Sequence, residues 1–152
     1  MSIHNNVFDG EFPDINKLVK ANAKSRLRML TLYALANQAG YLVAGTTNKS
    51  EMKLGYATKY GDGGVDFEPI QDFYKTEVWE MATLMDLPKA IIDKAPSAGL
   101  WAGQTDEDEL GHDYYEIDAW LQGKDKQPWT ALNRRIKTAK HKDLHLPYFR
   151  RD

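Results

Sequence analysis

Only two short stretches of this sequence have the composition of β-strands, and that scarcity constrains the fold more than any other feature. The run "YLVAG", Tyr41 to Gly45, is apolar and bounded by glycine, which fits a buried strand. The second candidate is "VDFEPI", where Pro69 confines any strand to a sheet edge or cuts it short. One or two short strands cannot satisfy their own backbone edges, and a two-stranded ribbon is marginal even beneath helices. Either the chain is predominantly helical, or part of its sheet lies elsewhere.

Helical patterns fill most of the remainder. From Pro13 to Ala39 there is no internal proline or glycine, and Gly40 follows as a C-terminal stop. Ile15, Leu18, Val19, Leu27, Leu30 and Ala34 recur at helical spacing, which predicts one long amphipathic helix with Lys24, Arg26 and Arg28 on its polar face. Lys75 to Met85 aligns Val78, Ala82 and Met85 on one stripe before Pro88 ends the helix. A further helix through "YYEIDAWLQ" buries Tyr114, Ile117 and Leu121, and Gly123 stands just past its end. The last begins near Trp129 and turns Leu132, Ile136 and Ala139 inward. No internal repeat or low-complexity segment occurs, and "QGKDKQP" is the only linker-like stretch. At 152 residues and 42% hydrophobic content, residues 1–152 are expected to form one domain with a real core.

Composition excludes several classes of function. The absence of cysteine rules out a disulfide framework and a thiolate metal site. No apolar run approaches the roughly 20 residues of a membrane-spanning helix, and "MSIHNNVFDGEFPD" is too polar for a signal peptide, so the expected location is cytoplasmic. The net charge of −2 hides an asymmetry: residues 1–123 carry a formal −8 and residues 124–152 a formal +6. A basic tail attracts nucleic acid or anionic lipid, pairs with its own acidic body, or reaches a phosphorylated ligand. Nucleic acid is the weakest of these, because the interleaved aromatic and basic pattern of a single-strand binder is missing.

The chemistry concentrates after "YLVAG". In "AGTTNKSEMKLGYATKYGDGG", Thr46, Thr47, Asn48 and Ser50 offer hydroxyls, an amide and backbone N–H groups at a strand end, where ligands bind in open α/β sheets. Glu51 among them is a hard oxygen ligand suited to Mg²⁺, which takes one or two carboxylates plus phosphate oxygens. The same residues are also those that cap a helix. Both readings stand on this segment alone. "KYGDGG" is a turn whose glycines favour positive φ or let a ligand approach the backbone, and it does not match a G-x-x-x-x-G-K-[ST] phosphate loop. Lys59 and Lys75 are the cations placed to balance phosphate, although a lysine's ordinary place is the solvated surface. The acids Asp106 to Glu109 suit the N-terminal dipole of a helix and solubility. His4, His112, His141 and His145 have no zinc-type spacing. The tryptophans Trp79, Trp101, Trp120 and Trp129 are read mostly as core or interface packing, with Trp101, in a loop-like stretch, the one expected to be partly exposed.

Taken in order, "NAKSRLRM", "GTTNKSE", "LGYATKYGDGGVDFEPI", "KTEV", "KAPSAGLWAGQTDEDELG", "YEIDAWLQG" and "HK" resemble the C-terminal two thirds or so of ammonia-dependent NAD synthetase. The similarity runs over about residues 17–143, with family-like spacing between blocks. It implies an α/β, partial Rossmann-like fold of the N-type ATP pyrophosphatase (adenine nucleotide hydrolase-like) class, here predominantly helical with one or two short strands. The activity it implies is that of a ligase in NAD biosynthesis: ATP-dependent amidation of deamido-NAD to NAD through an adenylate, with ammonia as the nitrogen donor.

Position by position, the resemblance makes Thr46, Lys75 and Ser97 ATP-binding residues, Ser97 standing where the family usually has threonine. Glu51 matches a Mg²⁺ ligand, and Arg26, Lys59, Asp66 and the pair His141 and Lys142 match residues that hold deamido-NAD. No protein nucleophile is implied. The family's S-G-G-x-D-S ATP loop does not occur in this sequence. The resemblance therefore implies half of a nucleotide site, the other half needing a chain that supplies the loop, and a homodimer as the expected assembly. The alternative is a non-catalytic dinucleotide-binding or dimerisation module of the same descent. Neither reading involves nucleic acid or a membrane.

Overall fold

The computed structural model describes residues 15–142. The expected helix start at Pro13, the polar N-terminal stretch, His4 and His145 lie outside the described residues. The elements in order are α1 (Lys17–Ala39), α2 (Lys49–Leu54), α3 (Lys75–Leu84), α4 (Lys89–Ile92), α5 (Asp106–Leu110), α6 (Tyr114–Leu121) and α7 (Thr130–Ala139), followed by a 3₁₀ turn, Lys140–Lys142. Their ends follow local chemistry. Asn16, Asn48, Thr105 and Asp113 each accept a backbone N–H of the first turn of α1, α2, α5 and α6. Gly40 closes α1 in the left-handed conformation at φ 70°.

The core forms around α2, which packs on α3, α6 and α7. Leu54, Leu110, Tyr114, Ile117 and Leu132 are its buried centre, with Trp79, Trp120, Trp129 and Ile136 packed against them. The inward stripes expected for α6 and α7 are observed. Met85 was expected beside Val78 and Ala82, and instead is 71% exposed just beyond the end of α3. All four tryptophans are partly buried, so Trp101 does not stand apart; the Lys17 ammonium lies 4.2 Å from its ring centre.

Two expectations are reversed. The predicted apolar face of α1 is the exposed one, with Leu18, Val19 and Leu30 open to solvent, and its buried positions are Ala21 and Ser25. The face read as polar is the anchored one: Lys24 donates to the Leu100 carbonyl, Arg26 to that of Lys59 and Arg28 to that of Gly99. Arg26 and Arg28 stay exposed, as a polar face requires, and reach neighbouring loops with their tips, a contact that periodicity does not record.

No strand forms among the described residues. The two candidate runs meet in a single parallel bridge, Ala44 to Phe67, with Gly45 N–H donating to the Phe67 carbonyl at 2.8 Å and Asp66 N–H to that of Val43 at 2.9 Å. Tyr41 and Leu42, expected inside a strand, are 74% and 71% exposed. With no described strand beside it and Pro69 breaking the partner run, the pairing stops at one rung.

Candidate functional site

The bridge positions a cleft. Just past it, Asn48 and Glu51 form a reciprocal capping box: the Glu51 amide donates to the Asn48 side chain, and the Asn48 amide to Glu51 Oε2, each at 3.0 Å. The other Glu51 oxygen accepts from Lys75 Nζ at 3.3 Å, and both side chains are mostly buried. Glu51 is thus a cap and also one half of an ion pair beside the cleft. Thr47 N–H donates to Glu68 Oε2 at 3.0 Å, and the Glu68 carboxylate fills the space where any side chain at residue 45 would lie, which accounts for Gly45.

Opposite stands the "KYGDGG" loop, clamped onto α1. Asp62 accepts from the Ser25 hydroxyl at 2.7 Å and from the Thr58 amide at 3.0 Å, while Thr58 Oγ1 donates to Asn22. The expectation that its glycines supply positive φ is corrected: the left-handed residue is Tyr60, at φ 60°, and Gly61, Gly63 and Gly64 are not in that region. Gly61 is needed for closeness, since a Cβ there would collide with the Ser25 hydroxyl. The third wall is the turn after α7. Lys142 Nζ donates to the carbonyls of Gly55 at 2.7 Å and Ala57 at 2.6 Å, and Lys59 Nζ donates to the carbonyl of His141 at 2.5 Å.

These walls enclose a cleft of about 310 Å³ lined by Thr47, Glu51, Lys59, Glu68, Lys140 and Lys142 among others. Of the residues singled out in the sequence, Glu51, Lys59 and Lys142 line it, and Lys75 joins through its pair with Glu51. Arg26 sits behind Lys59, on its carbonyl. Thr46 is exposed beside the bridge and does not line the cleft. Ser97 is exposed in a separate loop and accepts from the Gly99 amide. Asp66 spends its carboxylate on Val43 N–H at 2.7 Å and the Tyr33 hydroxyl at 3.1 Å. His141 directs Nδ1 at the Thr138 carbonyl at 2.8 Å. Thr47, singled out with its neighbours, also lines the cleft, whereas Glu68 was missed as a lining residue and nothing local in the sequence marks it.

The acidic run lies in the first turn of a helix, α5, as expected, and the solubility reading fails for one member. Asp106 is no solubility residue: it is 3% exposed and accepts from the Tyr114 hydroxyl at 3.1 Å, while Glu109 accepts from Tyr56 and Gln104. Burial first, then the Asp106 charge, pushes the Tyr56 and Tyr114 phenols far above the ordinary tyrosine value. Both therefore remain hydrogen-bond donors at any working pH.

Burial, with the Arg135 guanidinium second, holds Lys142 below the ordinary lysine value of 10.5, against a smaller opposing pull from Asp62. A lysine lowered on folding opposes folding while it is charged, and that opposition fades as pH rises through its folded pKa toward 10.5. Pyrophosphate binding in the cleft should therefore weaken across that alkaline window, before the exposed lysines titrate. Calorimetric titration at a pH series checks this, with the Lys142→Met variant showing a flatter profile.

On this helical frame the ammonium groups of Lys59 and Lys142 stand at one cleft with the mostly buried Glu51 carboxylate. The NAD synthase family model matches residues 2–145, and the chain belongs to this family. It is 57% identical over 119 residues to an NH(3)-dependent NAD(+) synthetase of Methanococcoides burtonii, covering 76% of this chain and 45% of that protein. Against the Archaeoglobus fulgidus NH(3)-dependent NAD(+) synthetase the identity is 46% over 142 residues, covering 90% and 58%. The chain spans about half the length of these curated relatives. Among solved structures, the NMN synthetase of Francisella tularensis superposes with a TM-score of 0.87 at 43% identity, covering 96% of this chain and 63% of that one. The NH3-dependent NAD synthetase of Campylobacter jejuni gives 0.74 at 26%, covering 97% and 62%. The relatives named as synthetases are ligases. Among the described residues no helix is long and apolar enough to cross a membrane.

Proposed function

We propose that this chain forms, as one domain, the dinucleotide side and part of the ATP side of an NAD synthetase, the remainder of a Rossmann-like nucleotide site coming with an S-G-G-x-D-S loop. The observation that carries it is the set of lysines in the cleft. Lys59 and Lys142 rest on backbone carbonyls rather than on carboxylates. An incoming phosphate exchanges a neutral acceptor for a charged one and breaks no ion pair, so the exchange favours the ligand.

In the reaction proposed, a carboxylate oxygen of deamido-NAD attacks the α-phosphorus of ATP, pyrophosphate leaves, and ammonia then displaces AMP from the acyl carbon to give the amide. The chain's part is placement and charge neutralisation, and no protein nucleophile is required. Lys59, Lys142 and His141, with Arg26 bracing the Lys59 backbone and Asp66 bracing the bridge, hold deamido-NAD. Lys75, Thr46 and Ser97 face ATP, the last two by movement of exposed segments onto the nucleotide.

Among the described residues no group of three or more His, Asp or Glu side chains is arranged to hold a metal ion. One mostly buried carboxylate at the cleft does fit Mg²⁺, which takes most of its ligands from phosphate and water. Glu51 would hold it, after yielding its contact with Lys75. Such an ion supplies charge neutralisation at the phosphates. Homodimerisation and a cytoplasmic setting complete this reading.

The test is twofold: calorimetric binding of deamido-NAD to the folded chain, and NAD formation with ATP, Mg²⁺ and an ammonium salt. Binding with turnover only when the loop-bearing region is supplied is the expected result. Absence of deamido-NAD binding by a folded chain overturns the reading, and binding without turnover even with that region present favours the non-catalytic module. The likeness to the Francisella tularensis protein favours a second reading, an NMN-forming synthetase. A preference for nicotinate mononucleotide over deamido-NAD in the same titration would select it.

A further inference from the structure

Asp118 lies on α6, outside the cleft and outside every role assigned so far, and it is 2% exposed. No cation pairs with it among its hydrogen-bond partners. Its Oδ2 accepts from both the amide and the hydroxyl of Thr76, each at 2.9 Å. Its Oδ1 accepts from the hydroxyl of Ser50, which is fully buried. The Ser50 oxygen in turn accepts from the Lys75 amide at 2.9 Å.

Lys75 and Thr76 open α3, and Tyr74 before them makes no side-chain cap hydrogen bond. Two of the amides of that first turn that lack an intrahelical partner are satisfied from outside the helix, by one residue of α2 and one of α6. A negative charge at this end also opposes the positive end of a ten-residue helix. Ser50 is the chain neighbour of Glu51. A single carboxylate therefore locks the start of α3, carrying Lys75, to the turn of α2, carrying Glu51.

We infer that Asp118 is a positioning residue for the ATP side of the site, setting the separation of Lys75 from Glu51 through Ser50 and Thr76. This rests on the function proposed above, in which Lys75 and Glu51 face the nucleotide and its metal. The role is distinct from fold stability, because the locked pair serves one ligand only. Lys59 and Lys142, on the opposite wall, are anchored by other contacts.

The experiment compares wild type, Asp118→Asn and Asp118→Ala. Titrations with Mg-ATP and with deamido-NAD are run separately, alongside amide hydrogen exchange at Lys75 and Thr76. In Asp118→Ala, Mg-ATP affinity should fall by about tenfold or more while deamido-NAD affinity changes by less than about twofold. Asp118→Asn keeps an acceptor for Thr76 and the same volume, so it should fold and lose less. Its Lys75 and Thr76 amides should still exchange faster than in wild type. Equal weakening of both ligands, or no weakening of Mg-ATP, overturns the positioning role. Unchanged exchange at Lys75 and Thr76 overturns it without any ligand. Wild type that binds neither ligand defeats the functional reading itself, an outcome separate from any difference between variants.

Discussion

Replacing Lys142 with methionine should weaken deamido-NAD binding by roughly ten- to a hundredfold, the range expected when one charge-assisted hydrogen bond to phosphate is removed. Methionine keeps an unbranched apolar stem of similar reach, so the half-buried path of the side chain stays filled. What disappears is the ammonium, together with its contacts to the carbonyls of Gly55 and Ala57. Isothermal titration of wild type and variant at one salt concentration checks the prediction. Equal affinities would remove Lys142 from the ligand contacts. The pH series described above separates loss of charge from any loss of shape, since only charge tracks the lowered pKa of Lys142.

Leu54→Ala should cost about 3 kcal/mol or more of folding stability, within the range of roughly 2–5 for a fully buried leucine. Leu54 has no exposed surface, ends α2, and touches the core formed by Leu110, Tyr114, Ile117 and Leu132. α2 is only six residues long, too short to hold itself without tertiary packing. The cavity left by the truncation therefore loosens the element that carries Asn48, Ser50 and Glu51. Urea unfolding followed by tryptophan fluorescence measures the loss. A change below about 1 kcal/mol would show that the neighbouring side chains collapse into the gap.

Which features were legible in the sequence follows from what each one depends on. The C-terminal stop of α1 and the inward stripes of α6 and α7 depend on residues within a turn or two, so Gly40 and the buried Ile117 and Leu132 could be read directly. The capping reading and the ligand reading of "TTNKSE" proved to be compatible, since Glu51 caps α2 and faces the cleft with the same carboxylate. The orientation of α1 was illegible because periodicity records which residues are apolar, and what decided its face were loops 33 to 76 residues away in sequence. Glu68 and Asp118 were invisible for the same reason. Their partners are 21 and up to 68 residues distant, and a lone acid carries no local mark of that. The glycines of "KYGDGG" were placed correctly in a turn, but none supplies positive φ, and Gly61 serves close approach to Ser25.

Lys24, Arg26 and Arg28 of α1 and Lys59 and Lys142 of the cleft bond main-chain oxygens, on Leu100, Lys59, Gly99, His141, Gly55 and Ala57. Every residue carries such an oxygen, whatever its side chain. A main-chain acceptor does not by itself restrict the residue that carries it, so Leu100 and Ala57 are expected to tolerate substitution with the contact kept, whereas Gly55 and Gly99 are held by their positive φ. Covariation between such side-chain and main-chain partners should therefore be weak.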